Sequence, residues 1–359
     1  MKKKKKLSRR VKIGVSISAV CVLLASAPFF YFLSQDPPSQ IWSKLFRFSR
    51  PACSDFHSLV CSQTGSGSAD PTGSVRDDLE AEASARVIFS ELIHSHPDWP
   101  AEKRSEFLVE AIYTPVRRQE ITETFQAVRK AMLRLIKKQP KTVLTRAQKR
   151  MLTDRLGKTQ LQLPPPAGLY SDDPELLTQN EVYYRRTREK NRDERVLRVG
   201  GAYLFAAKSR FNRVFTLAHE LAHSIDPCEI KSAGSKLPAY VKLSRCLIEQ
   251  GLVATPDTRT ECGRDDQLSE AFADWMAVQV LAEALQTRKS QHYSDDQILK
   301  SAANSIRDLC ERPGLLEYDS EHHPPSRVRI ERIFGENPAI RARLGCPNTP
   351  QSQAYCKFE

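Results

Sequence analysis

His219-Glu220-Leu221-Ala222-His223 puts two imidazoles and a carboxylate within one short stretch. Residues four apart lie on one helix face, so His219 and His223 can offer two nitrogens to a single metal ion. Neutral imidazole suits Zn²⁺, and two such ligands supply half of a tetrahedral shell. Glu220 projects beside the open metal position, where it can take a proton from water. The surrounding run, Val214 to Asp226, is apolar and helix-forming, and Leu217, Leu221 and Ile225 recur along a core-directed stripe. A third ligand has to come from elsewhere in the chain.

Glu270 is the best candidate. It lies 47 residues past His223 and reaches the same ion only if two helices pack face to face. Asp265-Asp266 offers an N-terminal cap for a long helix, Gln267 to about Leu285. Asp274 shares a face with Glu270 there and can accept a hydrogen bond from the free N–H of a liganding histidine. Two carboxylates among Ala271, Phe272, Ala273, Trp275 and Met276 are better explained by a nearby metal than by solvent. Further on, the stretch Asp319–Ile330 sets histidine and arginine beside Pro324-Pro325. It reads either as a source of donors to an oxyanion and a peptide carbonyl or as a solvated turn.

The elements that position these residues follow from periodicity. Val75 to Leu156 reads as charged amphipathic helices interrupted near Pro97, Pro115 and Pro140. Leu163-Pro164-Pro165-Pro166 marks a boundary. Val182-Tyr183-Tyr184, Val196-Leu197-Arg198-Val199 and Ala202-Tyr203-Leu204-Phe205 read as short strands. A strand just before the His-Glu-x-x-His helix is a natural edge for an extended peptide, or simply a small sheet under the helix.

The net charge of +12 points first to nucleic acid, but Met1–Lys12 holds eight Lys/Arg and no acid, which leaves only about +4 for the rest. That subtraction argues against a nucleic-acid partner. The basic tail precedes an apolar run, Ile13 to Leu33, with no charge between Ile13 and Gln35. About 20 apolar residues span a bilayer, and the positive-inside rule holds such a tail in the cytoplasm. An uncleaved signal anchor is expected, with Ala25-Ser26-Ala27 as the competing cleavage site. Beyond it stand eight cysteines: Cys53, Cys61, Cys228, Cys246, Cys262, Cys310, Cys346 and Cys356. An even number, scattered through an exported chain, reads as disulfides. No Asn-x-Ser/Thr acceptor occurs, which favours a bacterial envelope over a eukaryotic cell surface.

Together these pieces resemble the neprilysin-type zinc metallopeptidases, membrane-anchored ectopeptidases of the gluzincin group. Cys53-Ser54-Asp55-Phe56-His57-Ser58-Leu59-Val60-Cys61 is similar to that family's cysteine-flanked segment after the anchor. His219–His223 with Asp226, and Glu270-Ala271-Phe272-Ala273-Asp274, are similar to its two zinc motifs. His323-Pro324-Pro325 through Arg327-Val328-Arg329 and the pair Cys346 and Cys356 are similar to its late blocks. The resemblance implies that His219, His223 and Glu270 bind one Zn²⁺ and that Glu220 is the general base. It implies that Asp274 orients His219 and donates a proton, that His323 stabilises the oxyanion, and that Arg329 binds substrate backbone. It pairs Cys53 with Cys346, Cys61 with Cys310 and Cys246 with Cys356, leaving Cys228 with Cys262.

The implied fold is mainly α (α+β): a zincin-type catalytic domain with a small sheet and the His-Glu-x-x-His helix, a reduced helical lobe and an N-terminal transmembrane helix. The expected order is a basic cytoplasmic tail at 1–12, a signal anchor at 13–35 and a linker with the Cys53/Cys61 segment at 36–74. A helical lobe at 75–165 and the catalytic domain at 166–359 follow. The expected activity is endopeptidase cleavage of peptides or small proteins outside the cytoplasmic membrane. A catalytically inactive, zinc-stabilised envelope binding protein is the alternative. Two features depart from the family. The helical lobe is far shorter, which leaves a more open cleft. The Asn-Ala-Tyr/Phe substrate-edge motif is not clear, since Glu181-Val182-Tyr183-Tyr184 sits at the expected place without its asparagine.

Overall fold

The computed structural model describes residues 53–61, 94–164, 179–189, 192–205, 210–232, 237–251, 267–286, 295–310 and 323–358, with 87, 90, 91, 176 and 177. They belong to one unit, Pro51–Glu359; the expected tail and anchor, and Cys262, lie outside the described residues. Among the described residues no helix is long and apolar enough to cross a membrane. The described part is mainly helical with one small sheet.

In chain order the elements are α1 (Phe56–Cys61), α2 (Ala101–Ile112), α3 (Pro115–Lys138), α4 (Arg146–Lys158), β1 (Gln160–Gln162), β2 (Val182–Glu189) and β3 (Arg192–Val199). Then come α5 (Gly201–Phe205), α6 (Arg210–Ala222), α7 (Pro227–Ser232), α8 (Pro238–Glu249), α9 (Gln267–Leu285) and α10 (Asp295–Ser305). A short α11 (Ser326–Val328) runs into a π-helical turn, Arg329–Gly335, and α12 (Pro338–Leu344) follows.

Helices α6 and α9 pack against each other and form the centre of this unit. Leu217, Leu221 and Ile225, the stripe read from spacing, are each 0% exposed. Helix α9 has no polar face: Leu268, Phe272, Met276 and Val280 are buried, and so are Ala271, Trp275, Val278 and Leu281. A helix apolar all round must be enclosed by other elements. Here α3, α6, α8, α12 and the π-helical turn enclose it.

The segment expected as a separate lobe shares this core. Helix α3 starts at Pro115, the residue that also ends α2, with the Thr114 hydroxyl accepting from Arg117 N. Its buried stripe, Ile121, Phe125, Val128, Met132 and Ile136, faces α6 and α9. Arg134 Nε donates to Glu283 on α9 at 2.7 Å, and Tyr113 Oη donates to Val199 O at 2.6 Å, joining α2 to the sheet.

The sheet has the order β1-β3-β2, with β1 parallel and β2 antiparallel to β3. Strand β2 is therefore an edge, and it runs beside α6. The third expected strand, Ala202–Phe205, is instead the helical turn α5. The chain turns at Gly200-Gly201 because the segment before β2 crosses there: Gly200 N donates to Glu181 O at 2.8 Å and Ala202 N to Gln179 O at 3.1 Å. A Cβ on Gly200 would stand 2.2 Å from Gln179 O, so only glycine fits. Ala202, Tyr203 and Leu204 are all buried, so no alternation of exposure marked the strand reading as wrong.

Three of the four expected disulfides are formed: Cys53–Cys346, Cys61–Cys310 and Cys246–Cys356. Cys228 is also disulfide-bonded, to a partner outside the described residues. The first two tie α1 to the far end of the chain. Arg341, 1% exposed, reinforces that tie by donating to Cys53 O, Gly335 O and Pro347 O at 3.3, 3.1 and 2.8 Å.

Candidate metal centre and cleft

Helix α6 presents His219 and Glu220, then tightens into a 3₁₀ turn, His223–Ile225. Four-residue spacing keeps the two imidazoles close, with Nε2 to Nε2 at 3.4 Å. From α9, Glu270 Oε2 comes within 2.9 Å of His219 Nε2 and Oε1 within 3.4 Å of His223 Nε2. His323, just before α11, places Nε2 at 3.0 Å from Glu270 Oε2. His219, Glu270 and His323 form a group that could hold a metal ion.

The donor chemistry fits a cation. Glu270 Oε2 is buried and makes no aligned hydrogen bond, although two imidazole nitrogens lie within contact distance. Burial works against charge on Glu270, yet His223, His219 and His323 hold its carboxyl well below the usual range. Burial likewise opposes protonation of His219, yet Asp274 and Glu270 push it up to about 10. A carboxylate field that favours a proton on the imidazole equally favours a metal cation in the proton's place.

Each imidazole is oriented from behind. His219 Nδ1 lies 2.9 Å from Asp274 Oδ1, and Asp274 is 1% exposed. Arg329 donates to both Asp274 oxygens, Nε to Oδ2 at 2.5 Å and Nη2 to Oδ1 at 2.9 Å. Burial raises the Asp274 carboxyl, but Arg329 and His219 more than offset this and hold it well below the carboxylate range. An anion forked by a guanidinium and buried behind His219 can orient its ring. Arg329 thus binds Asp274 while also lining the cleft.

His223 is oriented differently. Its Nδ1 lies 3.1 Å from Ser269 Oγ, which donates to Asp226 Oδ2 at 2.8 Å. Asp226 Oδ1 accepts from Glu229 N at 2.7 Å. The Glu229 side chain in turn meets Arg155 of α4 at 3.0 Å, Arg186 of β2, and Arg195 of β3 at 3.8 Å. This half-buried ionic knot ties the edge strand to the segment that follows His223.

Compared with known proteins, the chain matches no family model, no curated protein and no solved structure. The site is therefore read from its own geometry.

Glu220 stands on the open side. Its Oε1 lies 4.0 Å from His219 Nε2, and its Oε2 accepts from Tyr184 N of β2 at 2.9 Å. Burial pushes its carboxyl up, which makes it a stronger base than an exposed glutamate. Tyr184 N points away from β3, and main-chain groups alternate in direction along a strand, so Val182 and Arg186 also turn theirs to the free edge.

The cleft continues on both sides of Glu220. One arm, about 200 Å³, is lined by Val182, Tyr203, Phe215, Ile306 and Leu309 together with Arg329. The other, about 590 Å³ and wider, runs past Tyr183, Tyr184, Asp226 and Glu229. Asn180 lines the smaller arm, immediately before the edge strand, and its buried Oδ1 has no hydrogen-bond partner. Asn180 lies one residue before the 181–184 stretch, in the segment that crosses Gly200-Gly201. Sequence reading also missed Ser269 and Glu229. Ser269 directly precedes Glu270, a signal that only the packing of α9 on α6 makes meaningful.

Proposed function

We propose that this protein is a zinc-dependent endopeptidase of neprilysin-like type, anchored by residues 13–35 with its catalytic part outside the cytoplasmic membrane. The observation that carries the proposal is the meeting of His219, His223 and Glu270 beside Glu220, on a cleft floored by an edge strand. Ligands 2.0–2.1 Å from a tetrahedral zinc stand about 3.3 Å apart. The separations here, 2.9 to 3.4 Å, are of that size. Zinc held there would supply Lewis-acid chemistry, polarising a carbonyl and acidifying water.

The chain's own residues supply the rest. An extended peptide pairs with the outward main chain of β2. A large apolar side chain fits the arm formed by Phe215, Ile306 and Leu309. Glu220 takes the proton of the attacking water and returns one to the leaving amine. Asp274 and Arg329 hold the His219 ring, and Asp226 acts through Ser269 on His223. His323 lies where its imidazole can support charge developing on the carbonyl oxygen. The disulfides suit an exported protein.

Incubating the protein with mixed peptides and reading cut sites by mass spectrometry tests this. Chelator-sensitive cleavage that disappears in Glu220→Gln, with zinc retained, is the expected result. Undiminished cleavage by Glu220→Gln sinks the mechanism. The second reading, a non-catalytic zinc-stabilised binding protein, draws on the closeness of His323 to Glu270, which would close the shell. A zinc-loaded protein that cuts nothing in the library favours it.

A further inference from the structure

Three imidazoles, of His219, His223 and His323, stand around the Glu270 carboxylate. Beside the 2.9 and 3.4 Å separations among His219, His223 and Glu270, His323 Nε2 stands 3.0 Å from Glu270 Oε2. One ligand atom each from His219, Glu270 and His323 lies within 4.8 Å of the others. A group that only lends a hydrogen bond to a carbonyl oxygen has no need to stand at ligand distance from the metal carboxylate. The contact is also not an aligned hydrogen bond, because Glu270 Oε2 has no hydrogen-bond partner.

His323 is held there by its backbone. Pro324 restricts the preceding residue to extended conformations, and α11 starts two residues later at Ser326. The π-helical turn that follows carries Arg329, which forks Asp274 behind His219. His323 is nonetheless the most accessible member of the cluster. Its side chain is 30% exposed, against 9% for His219 and 15% each for His223 and Glu270. Of the four groups it is the one with room to leave.

We infer that His323 is a fourth zinc ligand in the resting protein, an internal imidazole that closes the shell and withdraws when a peptide enters. This rests on the zinc reading above and adds regulation to it. The closed shell describes the resting protein and the open one the working protein, so the two readings of the site become two states. Substrate competes with a tethered ligand, and any zinc-directed inhibitor does the same. Its apparent affinity is lowered by the fraction of molecules in the open state.

The test uses the full-length protein loaded with zinc. X-ray absorption at the zinc edge should count three imidazoles in the wild type and two in His323→Gln. Acetohydroxamate should bind His323→Gln about tenfold more tightly than wild type, as a shell closed roughly nine-tenths of the time requires. His323→Ala should reproduce both results, and circular dichroism checks that each variant is folded. Two imidazoles in the wild type, with equal hydroxamate affinity in wild type and variants, overturns the inference and leaves the zinc reading standing. A wild type that retains no zinc defeats the zinc reading itself. The wild-type count decides the matter even where a variant fails to fold.

Discussion

Replacing Asp274 with asparagine removes one negative charge from behind His219 and leaves everything on the cleft side in place. Asp274 is 1% exposed and Arg329 is 7% exposed. The two share a forked pair of bonds at 2.5 and 2.9 Å, and Asp274 also holds His219 at 2.9 Å. Breaking one side of a buried pair leaves the other charge without compensation, which costs about 3–5 kcal/mol. Loss of the group behind a liganding histidine weakens metal binding about 10–100-fold. Denaturant unfolding of the metal-free protein should therefore show Asp274→Asn and Arg329→Met each strongly destabilised. The double variant carries no orphaned charge and should lose less than the two single losses together, by about 1–3 kcal/mol. Zinc titration should show the larger affinity loss in Asp274→Asn, because Arg329→Met leaves the His219 contact intact. Additive losses, or unchanged zinc affinity in Asp274→Asn, would refute the arrangement in which Arg329 holds Asp274 and Asp274 holds His219.

Glu220→Gln should lower kcat by several orders of magnitude while isothermal titration still records one zinc. Removing zinc should abolish cleavage and lower the unfolding free energy by about 4 kcal/mol relative to protein held at a thousandfold excess over Kd, with both restored on adding zinc back. Glu229→Gln removes the carboxylate between Arg155, Arg186 and Arg195, while Asp193 still pairs Arg186 and Arg195, and should cost about 1.5–3 kcal/mol in urea unfolding; an unchanged midpoint would show that the knot carries no stability. A Cβ on Gly335 would stand 2.7 Å from the Phe56 ring, so Gly335→Ala should destabilise by about 1–3 kcal/mol, and a neutral result would mean that α1 shifts freely.

The parts legible in the sequence are those with a local period. The α6 stripe of Leu217, Leu221 and Ile225 and the α3 stripe from Ile121 to Ile136 were readable because a helix repeats its burial every three or four residues; α9, buried on all sides, was readable instead from the Asp265-Asp266 cap before it. Spacing alone also put His219 and His223 on one face. Ala202–Phe205 was misread because Ala202, Tyr203 and Leu204 are all buried and so carry no period, and the decision to turn belongs to the crossing segment at Gly200-Gly201. That Glu270 faces the two histidines follows from α9 packing against α6, and nothing in the 46 intervening residues encodes it locally. Ser269 between His223 and Asp226, Asn180 in the cleft wall, Arg329 on Asp274 and His323 at ligand distance from Glu270 are all of this second kind. By itself the sequence determined which groups were available for chemistry and which helices would carry them. Only the tertiary structure decided which of them meet, because burying an apolar α9 on every side sets the angle and register at which distant side chains converge.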